Sequence, residues 1–211
     1  MSKEKQILLF GYSGHSYVLI ELLSRLNLKI KGYFDIEEKI LNPYDLKYFG
    51  NEKLTNLESL VGDNYVFPSI GNNLLRKKIV EQFLTYSFHQ ILLTDPLSNI
   101  SNSVSIGLSS YIGPNVCVNA QSVIGNGVIL NTNCVIEHEC SVGDYTHIAP
   151  SSTLCGNVSI GSNCFIGANT VVRENIHICD DVTIGAGSVV VKSINEPGIY
   201  FGNPAKIYSN E

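Results

Sequence analysis

Apolar positions follow their strictest pattern between residues 106 and 190. An aliphatic residue recurs at every sixth position: Ile106, Ile112, Val118, Ile124, Leu130, Ile136, Val142, Ile148, Leu154, Ile160, Ile166, Val172, Ile178, Ile184 and Val190. Four residues after these stand small or β-branched ones, such as Ser110, Val116, Ser122, Cys134, Cys140, Thr146 and Cys164. Neither the 3.6-residue period of a helix nor the two-residue period of an ordinary strand sustains such a repeat. A parallel β-helix does, because each coil has three short sides and the aliphatic side chains stack inside a triangular prism. With strands ~4.8 Å apart, the repeat predicts about five coils and a prism roughly 24 Å tall. A β-sandwich of short strands, the alternative, would break the register with loops of unequal length. Gly107, Gly113, Gly125, Gly143, Gly161, Gly167 and Gly185 each follow an aliphatic position, marking either a turn with positive φ or a close approach of backbones. The inward Cys, Ser and Thr suit an interior that larger side chains would overpack.

Ahead of the repeat, short apolar runs alternate with helical periodicity. Strands are predicted at Gln6–Phe10, Lys29–Phe34, Tyr65–Ile70 and Ile91–Leu93. Helices are predicted from His15 through Leu26, over Glu52–Leu60 and over Leu74–Tyr86. Such alternation implies a small parallel sheet with helices on its faces. Thr94–Asn102, with Asp95-Pro96, reads as a link to the prism, and the residues after Val190 as a capping tail. Gly11-Tyr12-Ser13-Gly14-His15 sits between the first strand and helix, where backbone N–H groups at a helix N-terminus favour a phosphate; glycines also close such turns for packing alone. Asp35 ends the second strand, where an acid commonly meets a ribose or base, or simply opens a solvated loop. Gly11-Tyr12-Ser13-Gly14-His15-Ser16 lacks the third glycine of a nicotinamide-binding fingerprint.

Composition narrows the function. The net charge of −5 and pI near 5.5 argue against nucleic acid or an anionic membrane as partner. No apolar run reaches the length of a membrane span, and Met-Ser-Lys-Glu-Lys leads into a strand rather than a signal peptide. Six cysteines without a Cys-x-x-Cys pair read as free thiols in a reducing cytoplasm, with no metal site.

Two of the five histidines, His138 and His147, fall within the prism, and His138 is flanked by Glu137 and Glu139. A neutral imidazole can accept a proton at pH 7, and a neighbouring carboxylate can fix its tautomer. A solvated surface histidine in an acidic patch has the same spacing.

Several segments carry a closer resemblance: Gly-x-x-Gly-His near the N-terminus, Ile70-Gly71-Asn72-Asn73-Leu74-Leu75-Arg76-Lys77-Lys78, Val128 to Thr132, Val135 to Cys140, and Gly202-Asn203-Pro204-Ala205-Lys206. Together they resemble the left-handed β-helix acyltransferases that N-acetylate nucleotide-linked 4-amino-4,6-dideoxy sugars, with sialic acid O-acetyltransferases among their relatives (PglD/NeuD-like). The resemblance implies an α/β Rossmann-like domain (1–95) that binds the nucleotide sugar, an all-β left-handed parallel β-helix (96–194) that binds acetyl-CoA, and a short C-terminal tail (195–211). It also implies a cytoplasmic homotrimer with active sites between adjacent prisms, serving surface polysaccharide or glycan synthesis. By the same resemblance His138 is the general base, Glu139 its orienting partner, and Asn131 positions His138 or the substrate. His147 contacts acetyl-CoA. The Gly156 N–H meets the thioester oxygen, and Gly167, Ala168, Gly185, Ala186, Gly187 and Lys206 complete the cofactor groove, with the amides around Gly185 to Gly187 holding the pantetheine. Ser13, Gly14 and His15 meet the diphosphate, Asp35 the base or ribose, and Asn72 lies near the substrate. The acceptor is expected to be a dTDP- or UDP-linked sugar, but Ile36 stands where some relatives carry a second acid, which leaves the choice among UDP, dTDP and GDP open.

Overall fold

The structure is a computed structural model that describes residues 5–208. The N-terminal expectation for Met1–Glu4, and Ser209–Glu211 of the expected tail, lie outside the described residues. Two compact units divide at Ile91/Leu92, a little ahead of the boundary read from sequence.

The first unit runs β1 (Ile7–Phe10), α1 (Gly14–Arg25), β2 (Ile30–Phe34), α2 (Leu57–Val61), β3 (Tyr65–Pro68), α3 (Asn73–Thr85) and β4 (His89–Gln90). Its sheet is parallel in the order β2-β1-β3-β4. The central strand β1 is buried along its whole length, which is why it reads as an uninterrupted apolar run. Leu19, Ile20, Leu22 and Leu23 form the stripe that seats α1, and the Phe10 ring meets those of Phe34 and Phe83 at 4.7 and 4.6 Å. The helix expected over Glu52–Leu60 starts only at Leu57, because the Asn56 side chain accepts the Ser59 N–H and caps it there. The sheet reverses its order between β1 and β3, where parallel sheets bind ligands beyond the strands' carboxyl ends. Gly11 sits at that point with φ +104°, and a Cβ there would lie 3.3 Å from the Ser69 carbonyl and clash with Ile70. Only glycine lets these two loops meet.

The second unit is a parallel β-helix with three ladders. Rungs pair in register one coil apart, as Tyr111–Ile112, Ile129–Leu130, His147–Ile148 and Phe165–Ile166 do. The first coil begins earlier than the repeat suggests. Leu93–Thr94 pairs with Tyr111–Ile112 rather than with the first unit's sheet, and Asn99–Ile100 pairs with Cys117–Val118. The segment expected as a linker is therefore structural. Thr94 occupies an aliphatic phase, and Asp95 turns the corner by accepting the Leu97 N–H. At the other end Gly198–Gly202 adds to Val182–Ile184 and folds back on Ala205–Ile207. One ladder thus has six parallel spacings, roughly 29 Å at ~4.8 Å each.

The corners separate two roles that the glycine pattern left joined. Every sixth residue from Ser109 to Gly187 is left-handed, with φ between 56° and 69°. This phase lies three residues after the aliphatic one and is filled mostly by Asn or Gly, as that conformation favours. The glycines directly after aliphatic positions have another cause, close stacking of coils. A Cβ on Gly143 would sit 2.5 Å from the Gly161 carbonyl carbon, and one on Gly167 2.5 Å from the Ala186 nitrogen. The inward hydroxyls also do more than save space. Ser110, Ser122, Thr146 and Ser152 donate to corner carbonyls at 2.8–2.9 Å, and the thiols of Cys140 and Cys164 do so at 3.1 Å. Buried carbonyls outside the ladders are thereby satisfied.

Candidate active site

His138 occupies the corner between the six-stranded and five-stranded ladders, after Val135–Ile136 and before Ser141–Val142. Glu139 is the left-handed residue of that corner, with φ +60°, and its Oε2 lies 3.1 Å from His138 Nδ1. A carboxylate there accepts from Nδ1–H, which leaves the Nε2 lone pair to act as a base. The imidazole lies over the next coil at Gly156, where a Cβ would stand 2.6 Å from Cε1 and 2.7 Å from Nε2. Among the described residues the Gly156 N–H has no acceptor within the chain, so a hydrogen-bond donor and a proton acceptor sit side by side. Below the corner, the Ser122 hydroxyl donates to the Glu137 carbonyl at 2.8 Å and accepts the Cys140 N–H at 3.2 Å, bracing both sides of His138.

Asn131 and His147 lie elsewhere on the prism. Asn131 turns the corner between the eight-stranded and six-stranded ladders, and His147 opens a strand of the eight-stranded one. Asn131 Nδ2 is 3.2 Å from His147 Nε2. Because an amide nitrogen can only donate, this contact keeps the imidazole proton on Nδ1. The His147 ring also meets Phe165 edge-on at 5.1 Å. Within one chain, then, Asn131 pairs with His147, and a full ladder separates both from His138.

The corner that carries Asn131 continues through Gly167-Ala168 and Gly185-Ala186-Gly187. Its amides divide into two sets. Gly167, Gly185 and Gly187 donate to Ile184, Tyr200 and Ala168 at 2.7–2.8 Å, so the ladders already use these N–H groups. Among the described residues the amides of Ala168 and Ala186, one coil apart, have no acceptor. Alternation of used and unused amides at a corner cannot be read from residue types. Lys206 lies exposed on the terminal hairpin.

In the first unit, a cleft of about 330 Å³ opens where β1, β2 and β3 end, and Ser13 and Asp35 line it. The loop's own donors are largely committed. Gly11 N–H donates to Phe34, Tyr12 N–H to Asp35 Oδ2 at 2.9 Å, and Ser13 N–H to Ser16 Oγ at 2.8 Å. Ser13 can offer an incoming phosphate its exposed hydroxyl but not its amide, whereas Gly14 begins the helix proper. Burial, with the Arg76 guanidinium nearby, pushes His15 down to about 4; at neutral pH it carries no charge toward a diphosphate. Arg76 is itself buried and lowered to about 9 by desolvation, and it holds the Ile70, Gly71 and Asn73 oxygens. Asn72 caps α3 by accepting the Leu75 N–H at 3.0 Å. Glu52, Lys53 and Lys78, none singled out from the sequence, also line the cleft. Glu52 and Lys53 come from the loop after β2, and Lys78 closes the Ile70–Lys78 segment on α3.

Burial raises the thiols of Cys134 and Cys164, to about 12 and about 11, which leaves them as inert donors inside the prism. Among the described residues no cluster of His, Cys, Asp or Glu is placed to hold a metal ion, and no helix is long and apolar enough to cross a membrane.

A small α/β unit followed by a three-ladder β-helix is the architecture of left-handed β-helix acyltransferases. Residues 6–83 match the PglD N-terminal domain, and residues 94–190 match the GMPPB C-terminal domain. Among solved structures, PerB from Caulobacter crescentus, in complex with CoA and GDP-perosamine, is 30% identical over 97% of each chain, with a TM-score of 0.90. The acetyltransferase domain of PglB from Neisseria gonorrhoeae FA1090, in complex with acetyl coenzyme A, is 30% identical over 97% of this chain and all of that one, also at 0.90. A GDP-perosamine N-acetyltransferase from Escherichia coli O157:H7 is 29% identical over 96 residues, 46% of this chain and 43% of its own length; the match spans under half of that curated relative. The chain belongs to this PglD-like family of sugar N-acetyltransferases.

Proposed function

We propose that the protein transfers the acetyl group of acetyl-CoA to the 4-amino group of a nucleotide-linked 4-amino-4,6-dideoxyhexose, for surface polysaccharide or glycan synthesis. The observation that carries this reading is the His138–Glu139 pair lying over Gly156. The uncharged amine attacks the thioester carbonyl while His138 Nε2 takes its proton. The oxyanion accepts the Gly156 N–H, a type of contact whose removal costs roughly 3–4 kcal/mol in other enzymes. The C–S bond then breaks, and the proton held by His138 neutralises the departing thiolate. An amine is already a competent nucleophile, so no covalent acyl-enzyme is required.

The prism holds the donor: the Ala168 and Ala186 amides take pantetheine oxygens, with His147, oriented by Asn131, beside the cofactor. The first unit holds the nucleotide in its cleft, with Asp35 on the nucleoside side and the Ser13 hydroxyl and Gly14 amide toward the diphosphate. A homotrimer accounts for the separation of His138 from Asn131 and His147, because a site between adjacent prisms takes one set from each chain. Supporting this, the outward column of the six-stranded ladder between the two corners, Cys117, Val135, Thr153, Val171 and Val189, is mostly apolar and part-exposed.

Thiol release from acetyl-CoA against UDP-, dTDP- and GDP-linked 4-amino-4,6-dideoxyhexoses tests the proposal, with CMP-sialic acid and free sialic acid as controls. Turnover on a 4-amino sugar is the expected result. Turnover on sialic acids alone would move the chain to O-acetylation, and silence from a folded trimer would leave it a scaffold.

A further inference from the structure

The cleft of the first unit holds charges that its own fold does not use. Asp35 is committed, since its oxygens accept the N–H groups of Tyr12 and Ile36 at 2.9 and 2.7 Å and face Lys39 at 3.3 Å. Glu52 differs. It is 9% exposed and lines the same cleft, yet its carboxylate has neither a hydrogen bond nor an ion pair within the described residues, and its oxygens are not sealed from solvent. Lys53 and Lys78 also line the cleft, and among the described residues neither has an acid within 4 Å. With no donor from its own chain among the described residues, the Glu52 carboxylate has two acceptor oxygens left for a ligand in a cleft whose apolar walls include Phe10 and Ile70.

We propose that Glu52 reads the nucleobase and that the cleft takes guanine, making the acceptor a GDP-linked sugar rather than the dTDP- or UDP-linked one. This rests on the nucleotide-sugar reading above. The argument is one of edge complementarity. Guanine presents N1–H and N2–H side by side with O6 beyond them, so a carboxylate accepts both donors while an ammonium group serves O6. Uracil and thymine present a single N–H between two carbonyl oxygens, and a carboxylate opposite that edge meets two like partial charges. Adenine and cytosine turn an unprotonated ring nitrogen toward it. Lys53 and Lys78 supply donors for O6 and for a phosphate oxygen.

Calorimetric titration of the full chain with GDP, IDP, UDP and dTDP tests this. IDP lacks only the N2 amine, so the wild-type chain should bind it about tenfold more weakly than GDP, with UDP and dTDP weaker still. Glu52→Gln should lose the preference for GDP over IDP and bind dTDP more tightly than wild type does, because the like charge opposite the thymine carbonyls is gone. Equal binding of GDP and IDP by wild type, or an undiminished GDP preference in Glu52→Gln, overturns the assignment, and the first comparison needs no variant. Tighter binding of UDP or dTDP sinks this inference alone. Failure of all four nucleotides to bind a folded chain sinks the nucleotide-sugar reading with it.

Discussion

Gly156→Ala probes the proposed base without touching it. The new Cβ would stand 2.6 and 2.7 Å from His138 Cε1 and Nε2, against the ~3.5 Å of an ordinary contact, so the ring must withdraw by roughly 1 Å. The His138 side chain is 59% exposed and can swing toward solvent at little energy. Residue 156 has no positive φ, and an alanine at a compatible site gains about 0.4–1 kcal/mol through the unfolded state. Stability should therefore change by less than about 1 kcal/mol. Catalysis should not be spared, since misplacing a reacting group by about 1 Å costs on the order of 100-fold in kcat. Alanine keeps its N–H, so an oxyanion donor persists and the loss reports the imidazole's position. The assay is thiol release under saturating acetyl-CoA, with thermal unfolding as control, on Gly156→Ala, His138→Ala and the double variant. If the Cβ acts through His138, the double variant should be no slower than His138→Ala. Full kcat in Gly156→Ala, or a double variant much slower than His138→Ala, refutes the reasoning.

Three further outcomes follow from the same geometry. Ser122→Ala leaves the Glu137 carbonyl and Cys140 N–H unpaired and should cost about 1–3 kcal/mol in denaturant unfolding, whereas Ser122→Cys should recover part of it, because Cys140 and Cys164 make the same inward bond. Glu139→Asn should raise stability by about 0.5–1 kcal/mol by relieving a left-handed corner while lowering kcat roughly tenfold or more through loss of the His138 partner, so that stability and activity move oppositely. His15, held near 4 when folded against ~6.5 unfolded, binds its proton more readily in the unfolded chain. Stability should therefore fall as pH drops from about 6.5 to about 4, by on the order of 3 kcal/mol, and His15→Gln should flatten that part of the pH–stability curve.

The prism was legible because its inward columns repeat one chemical requirement at a fixed spacing, and no local propensity competes with it. The first coil escaped because Thr94 replaces an aliphatic residue there and Asp95-Pro96 has the composition of a linker, although Pro96, Pro114 and Pro150 share one corner phase. His138 and Glu139 are visible as a histidine beside an acid; that the imidazole lies over Gly156 depends on the coil-to-coil register. The resemblance ties Asn131 to His138 or to the substrate; within one chain it meets His147, because a triangular prism sends residues seven apart to different corners. Within the expected cofactor set, the ladders use the N–H groups at Gly167, Gly185 and Gly187 and leave those of Ala168 and Ala186, a division set by ladder register rather than by residue type. Glu52 left no trace, its place in the cleft being set by the fold of the loop after β2.

Acetyl transfer by wild type and His138→Ala to a GDP-linked 4-amino-4,6-dideoxyhexose, with the product identified by mass and by resistance of the new bond to mild base, tests the central claim most directly. An N-acetylated sugar from wild type and a loss of kcat on the order of 100-fold or more in a folded His138→Ala variant is the predicted result. Equal turnover by the two proteins would contradict it.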